Sequence, residues 1–244
     1  MTHITQRITK LVAVATTVIL LAIPSAASAI AAASTSLTAV QQQHLSNIIA
    51  RGDQEIIRRL AQLNKLSSLI TASKHLTAGD KTTLSAEVTA EISGLTALKT
   101  KLDAETTVVG ASTDAKSIVA DYRVYALVTP KVWLIKTADD QQTAEAKLSA
   151  LITKFQTRIT AAKSQGKEVT ALQTALDDMT TQVKNSQAIS SGIETKVLPL
   201  QPTDFNSDHT ILSGDAAQLK TAHTDNEAAY TDAQTIVTGL KSLK

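Results

Sequence analysis

From about residue 38 to the end of the chain, apolar residues recur every three or four positions with polar ones between them. This is the spacing of helices that each bury one stripe. The first helix is predicted over 38–74, with Leu45, Ile49, Ile56, Leu60, Leu63, Leu66 and Ile70 on its stripe. Leu76-Thr-Ala-Gly-Asp80 closes it and opens the next, since Thr77 can cap a helix start with Asp80 three residues on, the capping-box spacing. The second helix, over 78–103, carries Leu84, Val88, Ile92, Leu95, Leu98 and Leu102. A loop around 106–112 follows, with Ser112 or Thr113 as the next cap. The third helix is predicted over 113–165 and is interrupted at Pro130, which lacks an N–H and crowds the carbonyl of Ala126. Its second half is patterned by Ala144, Leu148, Leu151, Phe155, Ile159 and Ala162, and Gly166 suits the left-handed residue that ends a helix.

The last two helices alternate spacings of three and four, as in coiled-coil seams. Over 167–197 the seam runs Val169, Leu172, Leu176, Met179, Val183, Ser186, Ser190, Ile193 and Val197. After a loop punctuated by Pro199 and Pro202, a fifth helix over 208–242 runs Leu212, Ala216, Leu219, His223, Asn226, Tyr230, Ala233, Val237 and Leu240. The pattern predicts an all-α, elongated antiparallel bundle of about five long helices. Two three-helix modules sharing the kinked third helix is the expected arrangement, with a single five-helix bundle as the alternative. The corresponding divisions are 1–29, 30–130 for an N-terminal helical module, and 131–244 for a C-terminal three-helix module.

Residues 121–135, DYRVYALVTPKVWLI, break the uniformity of a chain with 2% aromatic residues. On a continuous helix Ile118, Tyr122, Tyr125, Thr129 and Trp133 share one face, while Val124, Leu127, Val128, Leu134 and Ile135 occupy the others. A helix that is apolar all round is normally buried all round, so the segment reads chiefly as core at the junction of two bundles. Two alternatives remain: a pocket lined by Tyr122, Tyr125 and Trp133, and a β-hairpin turning at Thr-Pro-Lys. Arg51-Gly-Asp-Gln-Glu-Ile-Ile-Arg-Arg-Leu, Leu76-Thr-Ala-Gly-Asp-Lys, Glu91-Ile-Ser-Gly-Leu-Thr-Ala-Leu-Lys and Asp121-Tyr-Arg-Val-Tyr-Ala-Leu-Val-Thr-Pro-Lys carry a resemblance. Over about residues 51–140 the chain resembles uncharacterised exported helical proteins of candidate-phyla-radiation bacteria. That resemblance implies export and brings no activity with it.

The N-terminus points to the same compartment. Arg7 and Lys10 precede the uncharged run Leu11–Ile23, and Ala27-Ser28-Ala29 follows as an A-x-A cleavage site, the three parts of a secretory signal peptide. The run is short for a membrane span of roughly 20 residues. Removing residues 1–29 takes away two basic residues and leaves 22 basic against 22 acidic. Such a balance does not suit nucleic acid, whose binding needs a basic face. The chain has no cysteine, which excludes disulfides, thiol catalysis and a lipidated cysteine anchor. An extracytoplasmic location is expected.

Candidate chemistry is sparse. Outside the signal segment the histidines are His44, His75, His209 and His223, none in a metalloprotease spacing; His223 and Glu227 lie one turn apart. Asp204-Phe-Asn206-Ser-Asp208-His-Thr-Ile211-Leu-Ser-Gly-Asp215 resembles a twelve-residue calcium loop, with Asp204, Asn206, Asp208 and Asp215 as ligands. It departs from the pattern in having His209 where the turn glycine belongs and Asp215 in place of a longer Glu. The competing reading is a polar interhelical turn. Arg51-Gly52-Asp53 falls inside the first helix, where an adhesion tripeptide would not work. No cofactor motif appears, so the expected function is non-enzymatic: a structural, spacer or adhesion protein with a protein partner at the cell envelope. The alternative is an extracytoplasmic chaperone or a lipid- or amphiphile-binding helical protein.

Overall fold

The computed structural model describes residues 37–243. The signal segment at 1–29 lies outside the described residues. Seven α-helices follow in order: α1 Ala39–Ala72, α2 Ala78–Asp103, α3 Val108–Ala120, α4 Thr129–Ser164, α5 Thr170–Val197, a single turn α6 Asp204–Ser207, and α7 Asp215–Ser242. A π-helical turn, Val124–Val128, joins α3 to α4. The fold is an all-α helical bundle.

The starts of the first three helices follow from local capping. Thr38 and Gln41 close a reciprocal capping box on α1, and Thr77 Oγ1 accepts from Asp80 N (3.1 Å) at the start of α2. α3 begins one turn earlier than the sequence pattern suggests. Thr107, not Ser112 or Thr113, is its cap, with Oγ1 accepting from Gly110 N at 3.0 Å. The added turn brings Ala111 into the core. Gly166 is left-handed (φ 76°), as its place after α4 demands, and Gly214 (φ 84°) plays the same part before α7.

The long third helix is broken, but not at the proline. The chain leaves α3 at Ala120, and Arg123 takes left-handed φ and ψ of 41° and 34°. The next turn is wound wide, with the amides of Ala126, Leu127 and Val128 all directed at the Arg123 carbonyl. Pro130 follows directly on that widened turn, as the second residue of α4. From there α4 continues for 36 residues.

Two apolar cores succeed one another along α4. The first joins α1 (Ile56, Leu63, Leu66, Ile70), α2 (Leu84, Val88, Leu95, Leu102), Ile118 of α3, and Val132, Ile135 and Ala138 of α4. Ile193 and Val197 of α5 and Leu219 of α7 complete it. The second joins Leu148, Phe155 and Ile159 of α4 to Leu172, Leu176, Met179 and Val183 of α5 and to Ala229, Ala233, Ile236 and Leu240 of α7. The cores therefore part within α4, between residues 138 and 148, and not at residue 130.

A layer of buried polar side chains fills that interval. Glu145 of α4 is buried and accepts from Ser186 Oγ (2.5 Å) and Ser190 Oγ (3.0 Å) of α5. Gln141 accepts from Asn226 Nδ2 of α7 at 3.0 Å. The α5 seam is occupied residue for residue as its spacing predicts, the two serines included. The α7 seam is turned by one residue: Ala222, Ala229 and Ile236 are inside in place of His223, Tyr230 and Val237. Alanine at these positions, and Gly239 against Leu172, let α7 approach α5 closely.

Candidate functional site

The three residues of the expected aromatic pocket face different neighbours. Tyr122 lies over Gly94 of α2, where a Cβ would stand 2.6 Å from its Cε1, so the glycine makes the notch that receives the ring. Burial, reinforced by Glu91 and Asp121, raises the Tyr122 pKa. Tyr125 is half exposed beneath the Arg59 guanidinium, 5.3 Å from the ring centroid. Trp133 is 49% exposed on the outer side of α4. The expectation that this segment is buried all round is thus wrong at its two most exposed rings. Val132, Leu134 and Ile135 take the inner positions, and so does Lys131, which is 1% exposed. One turn of helix has put a lysine inside and a tryptophan outside.

The 204–215 segment does not assemble as a calcium loop. Asp204 Oδ2 accepts from Gln201 N (2.7 Å), and Asp208 Oδ1 from Thr210 N (2.8 Å) and Thr210 Oγ1 (2.6 Å). Those bonds hold the Asp208 carboxyl below the usual carboxylate range. Asp215, buried at the start of α7, pairs with Lys196 Nζ at 2.8 Å. Asn206 accepts from Arg123 Nε (2.6 Å) and donates to the Ala120 carbonyl (2.8 Å), one of the orphan acceptors at the end of α3. The side chain that resembled a calcium ligand in fact fastens the break between α3 and α4. With each group engaged by its own partner, the four share no ligand geometry. Arg51-Gly52-Asp53 is likewise structural: Gly52 is buried against Leu102 and Asp53 pairs with Lys99 at 2.9 Å.

No ligand motif points to the carboxylates that do converge. Asp80 of α2, Asp139 of α4 and Glu194 of α5 each offer an oxygen within 4.8 Å of the others. Asp80 and Asp139 are buried, at 4% and 1% exposure. Thr77 orients both, donating Oγ1–H to Asp80 Oδ2 (2.7 Å) and its backbone N–H to Asp139 Oδ2 (2.8 Å). Gln142 Nε2 donates to Glu194 Oε2 at 2.5 Å. Burial and the two neighbouring carboxylates push the Asp139 pKa up to about 7.

A second charged set lies farther along the α2–α4 contact. Lys131 Nζ meets Glu87 Oε2 (2.5 Å) and donates to the Leu200 carbonyl (2.6 Å). Burial raises the Glu87 pKa against the pull of Lys131. Glu91, one turn on, is pushed up to about 7 by its own burial and by Glu87, with Lys131 opposing.

A wide concavity that is apolar lies elsewhere. A groove of about 940 Å³ runs between α4 (Leu151, Phe155) and α7 (Tyr230, Ala233, Val237), with Lys154 and Arg158 on its rim and no carboxylate on its walls. Its origin is the turned seam of α7. Ala229 and Ile236 are inside, so the adjacent Tyr230 and Val237 stand on the flank toward α4. Tyr230 is 58% exposed there. Compared with family models, curated proteins and solved structures, the chain matches none.

Proposed function

We propose that this protein is a non-enzymatic, extracytoplasmic helical bundle that acts through its surface, as a structural, spacer or adhesion element with a protein partner at the cell envelope. The observation that carries the reading is how the interior is used. Two apolar cores are strung on one 36-residue helix, and the buried polar groups between them join helix to helix. Such a scaffold holds two surfaces at a set spacing, since 36 residues of α-helix extend about 54 Å. The N-terminal signal pattern supplies the compartment, and no helix among the described residues is long and apolar enough to cross a membrane. Cell fractionation followed by cross-linking of the tagged protein in place tests the reading. The expected product is a discrete adduct in the envelope or extracellular fraction; recovery in the cytoplasm overturns it.

The α4–α7 groove favours a second reading, that of an amphiphile-binding protein. An apolar floor of Leu151, Phe155, Ala233 and Val237 beside the cations Lys154 and Arg158 suits an acyl chain with an anionic head. A fluorescent polyene fatty acid is the probe. Saturable binding that is lost in Val237→Asp supports this reading, and binding unchanged by that substitution removes it.

A further inference from the structure

We propose that Asp80, Asp139 and Glu194 form a binding site for a hard divalent cation, calcium by size, that ties α2, α4 and α5 together where the first core meets the polar layer. This inference is independent of the surface function proposed above.

Clustered carboxylates alone do not make a site; here one of them keeps a buried oxygen that no N–H or hydroxyl of the protein serves. Asp139 is 1% exposed, and its Oδ1 receives no hydrogen bond. Its Oδ2 is held by the Thr77 amide, and a carboxyl oxygen of Asp139 lies within 4.8 Å of one from Asp80 and one from Glu194. A buried carboxylate oxygen with no donor is costly, and a second and third carboxylate beside it compound the cost.

The chain has lysines at hand and does not use them. Lys136, three residues before Asp139, pairs with Asp140 at 2.6 Å; Lys131 pairs with Glu87, and Lys196, two residues after Glu194, pairs with Asp215. His75 is also taken by Asp140, at 2.9 Å. The cluster is left with three acidic groups and no cationic side chain of its own.

The donor set fits a hard ion. All three groups are carboxylates, the ligands of calcium and magnesium and not of the softer metals that seek His and Cys. Oxygens that all lie within 4.8 Å of one another leave room for calcium, whose bonds of about 2.4 Å and flexible geometry do not demand the near-ideal octahedron of magnesium. One oxygen of each carboxylate is already oriented by a protein donor, Thr77 for two and Gln142 for the third, as ligating carboxylates commonly are. The position has structural consequences, because the three ligands come from helices far apart in sequence.

Equilibrium dialysis of the chelator-stripped full chain against calcium, with magnesium in parallel, tests the site. The expected result is one calcium per chain, with affinity in the range of extracellular sites, about 0.1–1 mM. Asp139→Asn and Glu194→Gln should each weaken binding by tenfold or more, and Asp208→Asn should leave it unchanged. Glu194 is only half buried, so its variant keeps the test available if Asp139→Asn fails to fold. Absence of binding by the wild-type chain at 5 mM calcium overturns the proposal. So does binding that survives both cluster substitutions, or that is lost with Asp208→Asn, which would return the site to the 204–215 loop.

Discussion

Lys131→Met is the most informative single substitution in the α2–α4 contact. The lysine is 1% exposed, and its ammonium serves two acceptors, Glu87 Oε2 and the Leu200 carbonyl. Methionine fills much the same volume, so packing changes little and what is lost is the charge and the hydrogen bond to the Leu200 carbonyl. Glu87 would then remain desolvated without a counter-ion, beside Glu91, and breaking one side of a buried pair costs about 3–5 kcal/mol. Removing both charges with Lys131→Met/Glu87→Leu should recover most of that loss, to within about 1 kcal/mol of wild type. The deficit of the single variant should also depend on pH. Losing the lysine moves the folded-state pKa of Glu87, already above its usual value, still higher. The penalty is then fully present above that raised pKa and fades as pH falls toward the unfolded value. Urea unfolding followed by circular dichroism at pH 8 and pH 5 measures both effects. A single-variant loss below about 1 kcal/mol at pH 8, or a loss equal at the two pH values, would refute the reasoning.

Three further outcomes are expected. Glu91, with a folded pKa of about 7 against 4.5 in the unfolded chain, binds more protons when folded; its contribution should fall as pH rises between those values, by roughly 2–3 kcal/mol in all. Glu91→Gln should flatten that slope in urea midpoints measured from pH 4.5 to 8. Gly52→Val should destabilise by about 2–3 kcal/mol, because a side chain there meets the buried Leu102 and has Ile118 Cδ1 at 3.4 Å; a thermal melt equal to wild type would remove the close α1–α2 approach. Ser186→Ala/Ser190→Ala leaves the Glu145 carboxylate without its two hydroxyl donors and should cost about 2–3 kcal/mol, whereas added Glu145→Ala should restore part of it. Chemical denaturation of the three chains reads this directly, and a double serine variant as stable as wild type contradicts the buried polar layer.

Much of the helical frame was legible because helices with one buried stripe write their period into the sequence. The α5 seam from Leu172 to Val197 is the clearest case, since even Ser186 and Ser190 sit where the three–four alternation places them. The same rule misplaced half of α7. It preferred His223 and Tyr230 to the adjacent alanines, although close packing against α5 favours the smaller side chains inside; at 236/237 the buried residue is Ile236, which size does not explain. Pro130 was read as a breaker because proline interrupts helix interiors, but it lies in a first turn. The actual break at Arg123 depends on Asn206, 83 residues away, which no local pattern reports.

The carboxylate cluster was hidden for a related reason. Asp80 reads from the sequence as the partner of the Thr77 cap, and it does fill that role. Asp139 and Glu194 belong to no motif, and acidic residues on amphipathic helices usually mark the outer face. What converts them is antiparallel pairing: α2 and α4 run in opposite directions, so Glu87 meets Lys131 and, two turns away on each helix, Asp80 meets Asp139. The first meeting is neutralised within the chain; the second sets like charges face to face and adds Glu194 from α5. The contrast between two registers of one helix pair, one with its lysine and one without, makes the uncompensated cluster a specific feature of this fold. A lysine or an apolar residue at 139 would relieve the like charges, at the cost of the acceptor for the Thr77 N–H. Keeping aspartate there is intelligible if a bound cation completes the charge.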